Sequence, residues 1–403
     1  MIVALEVGSA HVRVAVAELR EDQSMLLRGV GECASSGVRK GEVFDVLNAQ
    51  QDIKAALHEA ENNLGVEIDE VYLSLSGSHI KSKQVKVKVQ TDPEDMLVTG
   101  REITELDEMA GDQPLPDSHA ILHVLLQHYT MDERVRSPEA LGHSAASVEA
   151  EYLIIHGLRN RLETMVRAIM ELEIEVKGVV FAPYAAAQIV LSKEVKKQGA
   201  VVIDLGAGTT DYVVYVDGAV EYAGSLGLGG DHLTSDLSIG LKYPYAATEE
   251  LKCRHGRLYP DSRDPHGVVE VARTPNCEER VFYKESIAKI MSARQWETLS
   301  LVKRDLDEQN IWDKVHGGVI LTGGASRVPG LEMMAAEIFP APCKLSKDFL
   351  LDGDQTYSRR PDLATVLGLI RYAQTNQMQN PEPRGISRVR EGFSRMIRSF
   401  GIL

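Results

Sequence analysis

Cysteine is scarce in this chain, and its four copies stand far apart. Cys33, Cys253, Cys277 and Cys343 form no CxxC pair, which excludes a zinc ribbon or a redox dithiol as an organising feature. They read as reduced, mostly buried residues of a cytosolic protein. Long apolar runs are lacking too: no segment approaches the roughly 18 residues of a membrane span. The N-terminal stretch MIVALEVGSAHVRVAVAEL is broken by Glu6, His11 and Arg13 and carries no basic leader, so no signal peptide is expected. Basic residues are in deficit, 44 Lys and Arg against 59 Asp and Glu, for a net charge of −15. That balance argues against nucleic acid, whose partners present a basic patch or stripe. Neither GxxxxGK[ST] nor GxGxxG occurs, so the chain is neither a P-loop protein nor a carrier of the dinucleotide fingerprint.

What is present is an ordinary globular composition, 44 % hydrophobic over 403 residues, enough for two or more domains. Residues 2–7 and 11–18 read as strands joined by Gly8-Ser9-Ala10. Residues 200–204 and 211–216 repeat the arrangement around Gly206-Ala207-Gly208, and Asp217-Gly218 suits a type I′ turn into a further hairpin. A strand, an acid, a glycine turn and a second strand thus occur twice, about 200 residues apart, which points to two related domains facing each other. Helices are expected at 48–64, 102–111, 159–173, 183–193, 228–240, 246–254, 285–309, from about 330, and at 361–374. Strands are expected at 70–76, 119–131, 150–157, 176–181 and 317–322; 135–147 and 260–265 read as loop, and 375–387 as a polar linker containing prolines.

Glycine matters in these turns because backbone N–H groups can line up on phosphate oxygens only where no Cβ blocks the approach. Gly206, Ala207 and Gly208 suit that role, with hydroxyls from Thr209 and Thr210. Asp204 and Asp211 cannot bind phosphate, yet can hold Mg²⁺ through water. Alone, this segment is equally well a tight hairpin with a glycine pair. The first loop offers Gly8, Ser9, Ala10 and His11, and the third, Gly323-Gly324-Ala325, brings backbone close to a ribose or base. Three such loops together point to a nucleotide.

Four stretches carry a resemblance: Ile121–Val124 with Gln127–Tyr129, Gly229–Asp236, Glu249–Gly256, and Gly318–Ala325. With the phosphate loops, they resemble the actin, sugar-kinase and heat-shock-chaperone ATPase superfamily and, within it, the bacterial cell-division FtsA family. The resemblance implies an α/β fold of two actin-like (ribonuclease H-like) domains. The cores would comprise 1–82 with 161–196 and 360–374, and 197–227 with 304–359. Residues 83–160 would form an inserted subdomain for filament contacts and other division proteins. Residues 228–303 would form an upper subdomain that in relatives meets the tubulin-like protein FtsZ. ATP and Mg²⁺ are the implied ligands. Gly229 and Gly230 match a glycine pair near the cleft, Glu249 and Lys252 the ribose and adenine segment, and Glu6, Asp204 and Asp211 the metal-water acids. Two departures stand out: relatives usually carry Asp at the place of Glu6 and Lys near His11. A longer carboxylate shifts the metal-water network, and Mg²⁺ demands near-ideal octahedral geometry, so at most weak hydrolysis is expected. No general base stands out; Gln127 and His128 read as structural.

The tail, ISRVREGFSRMIRSFGIL, places Ile386, Val389, Phe393, Met396, Ile397 and Phe400 within about 80° on a helical wheel. Arg388, Arg390, Arg395 and Arg398 lie outside that stripe. From Arg384 onward, five arginines face one acid, Glu391. This is the pattern of a helix lying in a membrane interface of anionic lipids; a helix docked on its own core or on another protein has the same spacing. The resemblance favours the membrane, since the family anchors itself by such a tail. The expected function is an ATP-binding actin homologue that polymerises at the division site and tethers FtsZ, through its C-terminal peptide, to the cytoplasmic face of the membrane. The alternatives are a pilus-assembly homologue of the PilM kind and, with less support from the residues, a sugar or acid kinase.

Overall fold

The computed structural model describes residues 1–22, 24–260, 264, 266–271, 279–347, 349, 352–353 and 356–379. The tail helix expected over 388–403, and with it Val389, Arg390, Phe393, Arg395, Met396, Ile397, Arg398 and Phe400, lies outside the described residues.

Two sheets repeat one topology. In the first, the meander Ile2–Val7, His11–Leu19, Met25–Ala34 is extended on its other side by Glu70–Leu75 and then Glu175–Phe181, both parallel to the first strand. In the second, Ala200–Leu205, Thr210–Val216 and Ala219–Leu226 form the meander, and Val319–Thr322 and Cys343–Leu345 add on in parallel. The sequence explains the central strands directly. Ala200–Leu205 is buried at every position, as a strand covered on both faces must be. The Asp217-Gly218 turn takes φ of 53° and 88°, the positive pair of a type I′ hairpin.

Helices cover the sheets. Val46–Leu64 starts where Asp45 Oδ1 accepts from Asn48 N at 3.1 Å and stops at left-handed Gly65. It buries Ala49, Ile53, Ala56, Leu57 and Ala60 against strand Met25–Ala34. That strand goes beyond the sequence expectation, because Gly29 and Gly31 break its apolar alternation. Gly31 is there for the helix: a Cβ would stand 2.4 Å from Ala56 O. The last helix begins later than expected and runs longer, Ala364–Gln379 after a 3₁₀ turn at Pro361–Leu363. Residues 375–379 are therefore helix and not linker.

The inserted unit is a four-stranded antiparallel sheet, Lys81–Gln90, Ser147–Leu158, His119–Met131 and Val135–Ser137, with helix Gly100–Gly111 on one face. Thr99 and Glu102 cap that helix reciprocally. Val85, Val87 and Val89 point to it and are buried, while Lys86 and Lys88 between them are exposed, so the edge strand carries lysines against further pairing.

Candidate functional site

The two central hairpins end in the same turn. Gly8 N donates to His11 O at 3.0 Å, and Gly206 N donates to Thr209 O at 2.9 Å. The turns come from different domains and touch: a Cβ on Gly208 would lie 2.4 Å from Ser9 Oγ. Together they wall a cavity of about 930 Å³ between the domains.

The third loop closes another side. Gly323 has φ of 86°, and a Cβ there would stand 2.2 Å from Asp204 Oδ1 and 2.5 Å from Leu205 O, so only glycine lets the loop lie on the acid. From the upper part of the second domain, Gly230 N donates to Gly206 O at 3.0 Å and Asp231 N to Ala207 O at 2.8 Å. The start of helix Gly230–Leu241 is thereby strapped to the second turn. Lys252 Nζ, on helix Tyr245–His255, donates to Gly230 O at 3.0 Å and pairs with Glu249 Oε2 at 2.7 Å. Leu233, Ala325, Val328 and Pro329 give this end apolar walls, the composition that receives a flat ring.

Three acids converge on the other end. Asp204 Oδ2 accepts from Thr365 Oγ1 at 2.7 Å. Asp211 Oδ2 accepts from Ser76 Oγ at 2.5 Å and Thr209 Oγ1 at 2.9 Å. Glu6 Oε2 and Asp211 Oδ1 are buried and have no hydrogen-bond partner among the described residues. Burial pushes the Glu6 carboxyl up to about 7, against the pull of Arg13, and the Asp211 carboxyl up to about 6; it raises Asp204 as well. Buried acids with free oxygens cost energy without a cation.

Beside them lies an ion network. Arg13 Nε donates to Glu32 at 2.8 Å, and its other nitrogens stand 3.7 Å from Glu6 and 3.5 Å from Asp362. Arg360 joins Glu32 at 2.9 Å and Asp362 at 2.5 Å. Arg327, from the third loop's side, is 3.8 Å from Asp362. Burial and Arg13 both lower the His11 pKa.

Comparison with known proteins agrees with this geometry. The profile described as cell division protein FtsA matches residues 201–368, and that of the SHS2 domain inserted in FtsA matches residues 77–156. The chain belongs to the FtsA family. Cell division protein FtsA of Pseudomonas aeruginosa is 27 % identical, covering 94 % of this chain and 90 % of the relative. That of Escherichia coli is 28 % identical over 94 % and 91 %, and that of Neisseria meningitidis 29 % over 96 % and 94 %. Among solved structures, the PilM–PilN type IV pilus biogenesis complex aligns at 16 % identity with TM-score 0.65, covering 95 % of this chain and 99 % of that one. MreB5 of Spiroplasma citri bound to ADP aligns at 14 % with TM-score 0.55, covering 94 % and 98 %. These likenesses are of fold: the chain is a cell-division protein of the actin-like fold with the inserted FtsA subdomain.

Of the residues singled out in this FtsA-family sequence, Glu6, Gly8, Ser9, Ala10, His11, Asp204, Gly206, Ala207, Gly208, Thr209, Asp211, Gly230, Glu249, Lys252, Gly323, Gly324 and Ala325 all line the one cavity. Thr210 does not. Strand alternation turns it away from its neighbours, and its hydroxyl donates to Leu228 O at 2.8 Å. Gly229 does not line it either; it packs behind the second turn, where a Cβ would stand 2.5 Å from Ala207 O. Gln127 reaches Val220 O at 3.0 Å on the second domain, away from the cavity. Sequence reasoning missed Arg13, Glu32, Ser76, Arg360 and Asp362. Arg13 left a signal, a charge inside the apolar strand HVRVAV; the others are brought in by tertiary structure alone.

Proposed function

We propose that this FtsA-family chain binds ATP with Mg²⁺ in the interdomain cleft, polymerises in that state, and tethers FtsZ filaments to the cytoplasmic face of the membrane at the division site. The observation that carries the ATP reading is the pair of glycine turns closed by the same hydrogen bond, one from each domain, lining one cavity. Backbone N–H groups and the hydroxyls of Ser9 and Thr209 suit phosphates, and the Lys252–Glu249 end suits ribose and adenine.

The acids fit Mg²⁺. Glu6 Oε2 and Asp211 Oδ1 are buried acceptors without partners, as the water ligands of a phosphate-bound cation require. The ion would neutralise phosphate charge; Glu6, Asp204 and Asp211 would orient its waters, and Ser76 and Thr209 hold Asp211 in place. No side chain near Ser9 stands out as a base for water, so turnover is proposed to be slow.

Attachment to the membrane rests on the sequence of residues 386–403, and FtsZ binding on family membership. Co-pelleting of the full chain with anionic liposomes, with and without ATP and FtsZ, tests all three parts. ATP-dependent filaments on liposomes that recruit FtsZ are expected. Deleting residues 386–403 should abolish pelleting and spare ATP binding; unchanged pelleting would overturn the anchor. Binding of a pilus-protein peptide in preference to the FtsZ C-terminal peptide would favour a PilM-like role.

A further inference from the structure

Strand His11–Leu19 is buried without a break from Val12 to Ala17, and one residue in that run is charged. The Arg13 side chain is 11 % exposed. A buried guanidinium needs an anion beside it, and the sheet register supplies two. Arg13 stands directly opposite Glu6 on the first strand and directly opposite Glu32 on the third. Residues so paired share one face of the sheet, and here that face belongs to the cleft: Glu6, Arg13 and Glu32 all line the cavity.

The acids around Arg13 are not served alike. Glu32 accepts from Arg13 Nε at 2.8 Å and also from Arg360 Nη2 at 2.9 Å. Asp362 is 3.5 Å from Arg13 and accepts from Arg360 at 2.5 Å, with Arg327 at 3.8 Å. Glu6 depends on Arg13: among the described residues its one ion pair is the approach of Arg13 Nη1 to Oε1 at 3.7 Å. At that distance charge attracts without a hydrogen bond, and Oε2 stays buried and unpartnered. Arg13 can therefore give up Glu6 and keep Glu32 and Asp362, whereas Glu6 has no second cation to turn to among the described residues.

We propose that Arg13 is a built-in counter-ion of Glu6, standing in for a divalent cation while the cleft holds none, and that it thereby sets how strongly nucleotide binding depends on Mg²⁺. This rests on the reading of the cleft as a site for ATP and Mg²⁺. Without the ion, Arg13 cancels the charge of an acid that would otherwise repel phosphates. With the ion present, Glu6 turns to its waters, and a second cation in the same space of low dielectric is repelled. Arg13 then draws back on Glu32 and Asp362, which already hold it. One acid shared between two cations binds each less firmly, so Arg13 both lessens the need for Mg²⁺ and weakens its hold.

The test uses the full chain and a fluorescent ATP analogue, titrated in Mg²⁺ and in EDTA, followed by titration of Mg²⁺ into the nucleotide-loaded chain. Arg13→Gln removes the charge and keeps a donor for Glu32; Arg13→Lys retains the charge. Arg13→Gln combined with Glu32→Gln leaves Arg360 facing Asp362, so the charge balance and the fold are kept should the single variant unfold. Removing Mg²⁺ is expected to weaken the analogue about tenfold more in both Arg13→Gln chains than in wild type, and their half-saturating Mg²⁺ should fall by about tenfold. Arg13→Lys should follow wild type. In a Glu6→Gln background, Arg13→Gln should no longer change the response to Mg²⁺. The same Mg²⁺ dependence in wild type and in the Arg13→Gln chains, or an effect that persists with Glu6→Gln, would overturn the counter-ion role and leave ATP binding standing. Failure of the wild-type chain to bind nucleotide either with or without Mg²⁺ would overturn both.

Discussion

Gly208 leaves room for Ser9 and Lys40 to approach from the other domain, and Asp211, three residues on, is held by Ser76 and Thr209. A methyl group on Gly208 would meet Ser9 Oγ at 2.4 Å and Lys40 N at 2.6 Å. Gly208→Ala is expected to part the turns and weaken ATP by about 100-fold with the fold intact, read by titration with a fluorescent ATP analogue alongside circular dichroism. A different residue governs acid stability. His123 is fully buried, its Nε2 accepts from Phe181 N at 3.0 Å, and burial lowers its pKa to about 3. A base whose folded pKa lies below its unfolded value takes up a proton on unfolding. Its contribution is therefore complete above pH 6.5 and is lost as pH falls from 6.5 toward 3. His79 and His156, both lowered to about 4 by burial, act in the same direction. The His123→Gln chain should lose less stability than wild type between pH 6.5 and 4, by on the order of 2 kcal/mol, as measured by urea unfolding at each pH.

Among the elements, strand Ala219–Leu226 is the outer strand of its sheet, and the inserted unit covers it. Gln127 Nε2 donates to Val220 O at 3.0 Å, and Ser82 Oγ donates to Ala223 O at 2.6 Å. Removing both donors leaves buried carbonyls unsatisfied, at about 1–3 kcal/mol each. The double variant Ser82→Ala, Gln127→Ala is expected to speed amide exchange in residues 219–226 and lower the thermal midpoint while leaving the first sheet protected. Most elements were legible because period and punctuation agree, as in Val46–Leu64 between Asp45 and Gly65. Met25–Ala34 was not, because its glycines answer to a helix packed on it rather than to its own pattern. The end of the last helix was misplaced because TNQMQ is polar and loop-like, yet it continues a helix whose earlier turns are anchored by Leu367, Ile370 and Ala373 in the core.

At the scale of the whole molecule, a ligand that bridges both domains should stabilise the chain as a unit. ATP at 100 times its dissociation constant is expected to add about 2.7 kcal/mol, seen as a concentration-dependent rise in thermal midpoint; a rise confined to probes in one domain would argue against a bridging site. The duplicated turns, the acids at their strand ends, the third glycine loop and the charged tail pattern were set by residue order, since each depends on neighbours a few positions apart. The cleft's ion network was decided elsewhere. Glu32 and Asp362 meet Arg13, and Arg360 meets both acids, only because the meander's third strand and the 3₁₀ turn before the last helix are packed against the same hairpin, 328 residues apart in the chain between Glu32 and Arg360. Local sequence can choose a turn, but which charges share one low-dielectric space depends on how the sheets and helices close around it.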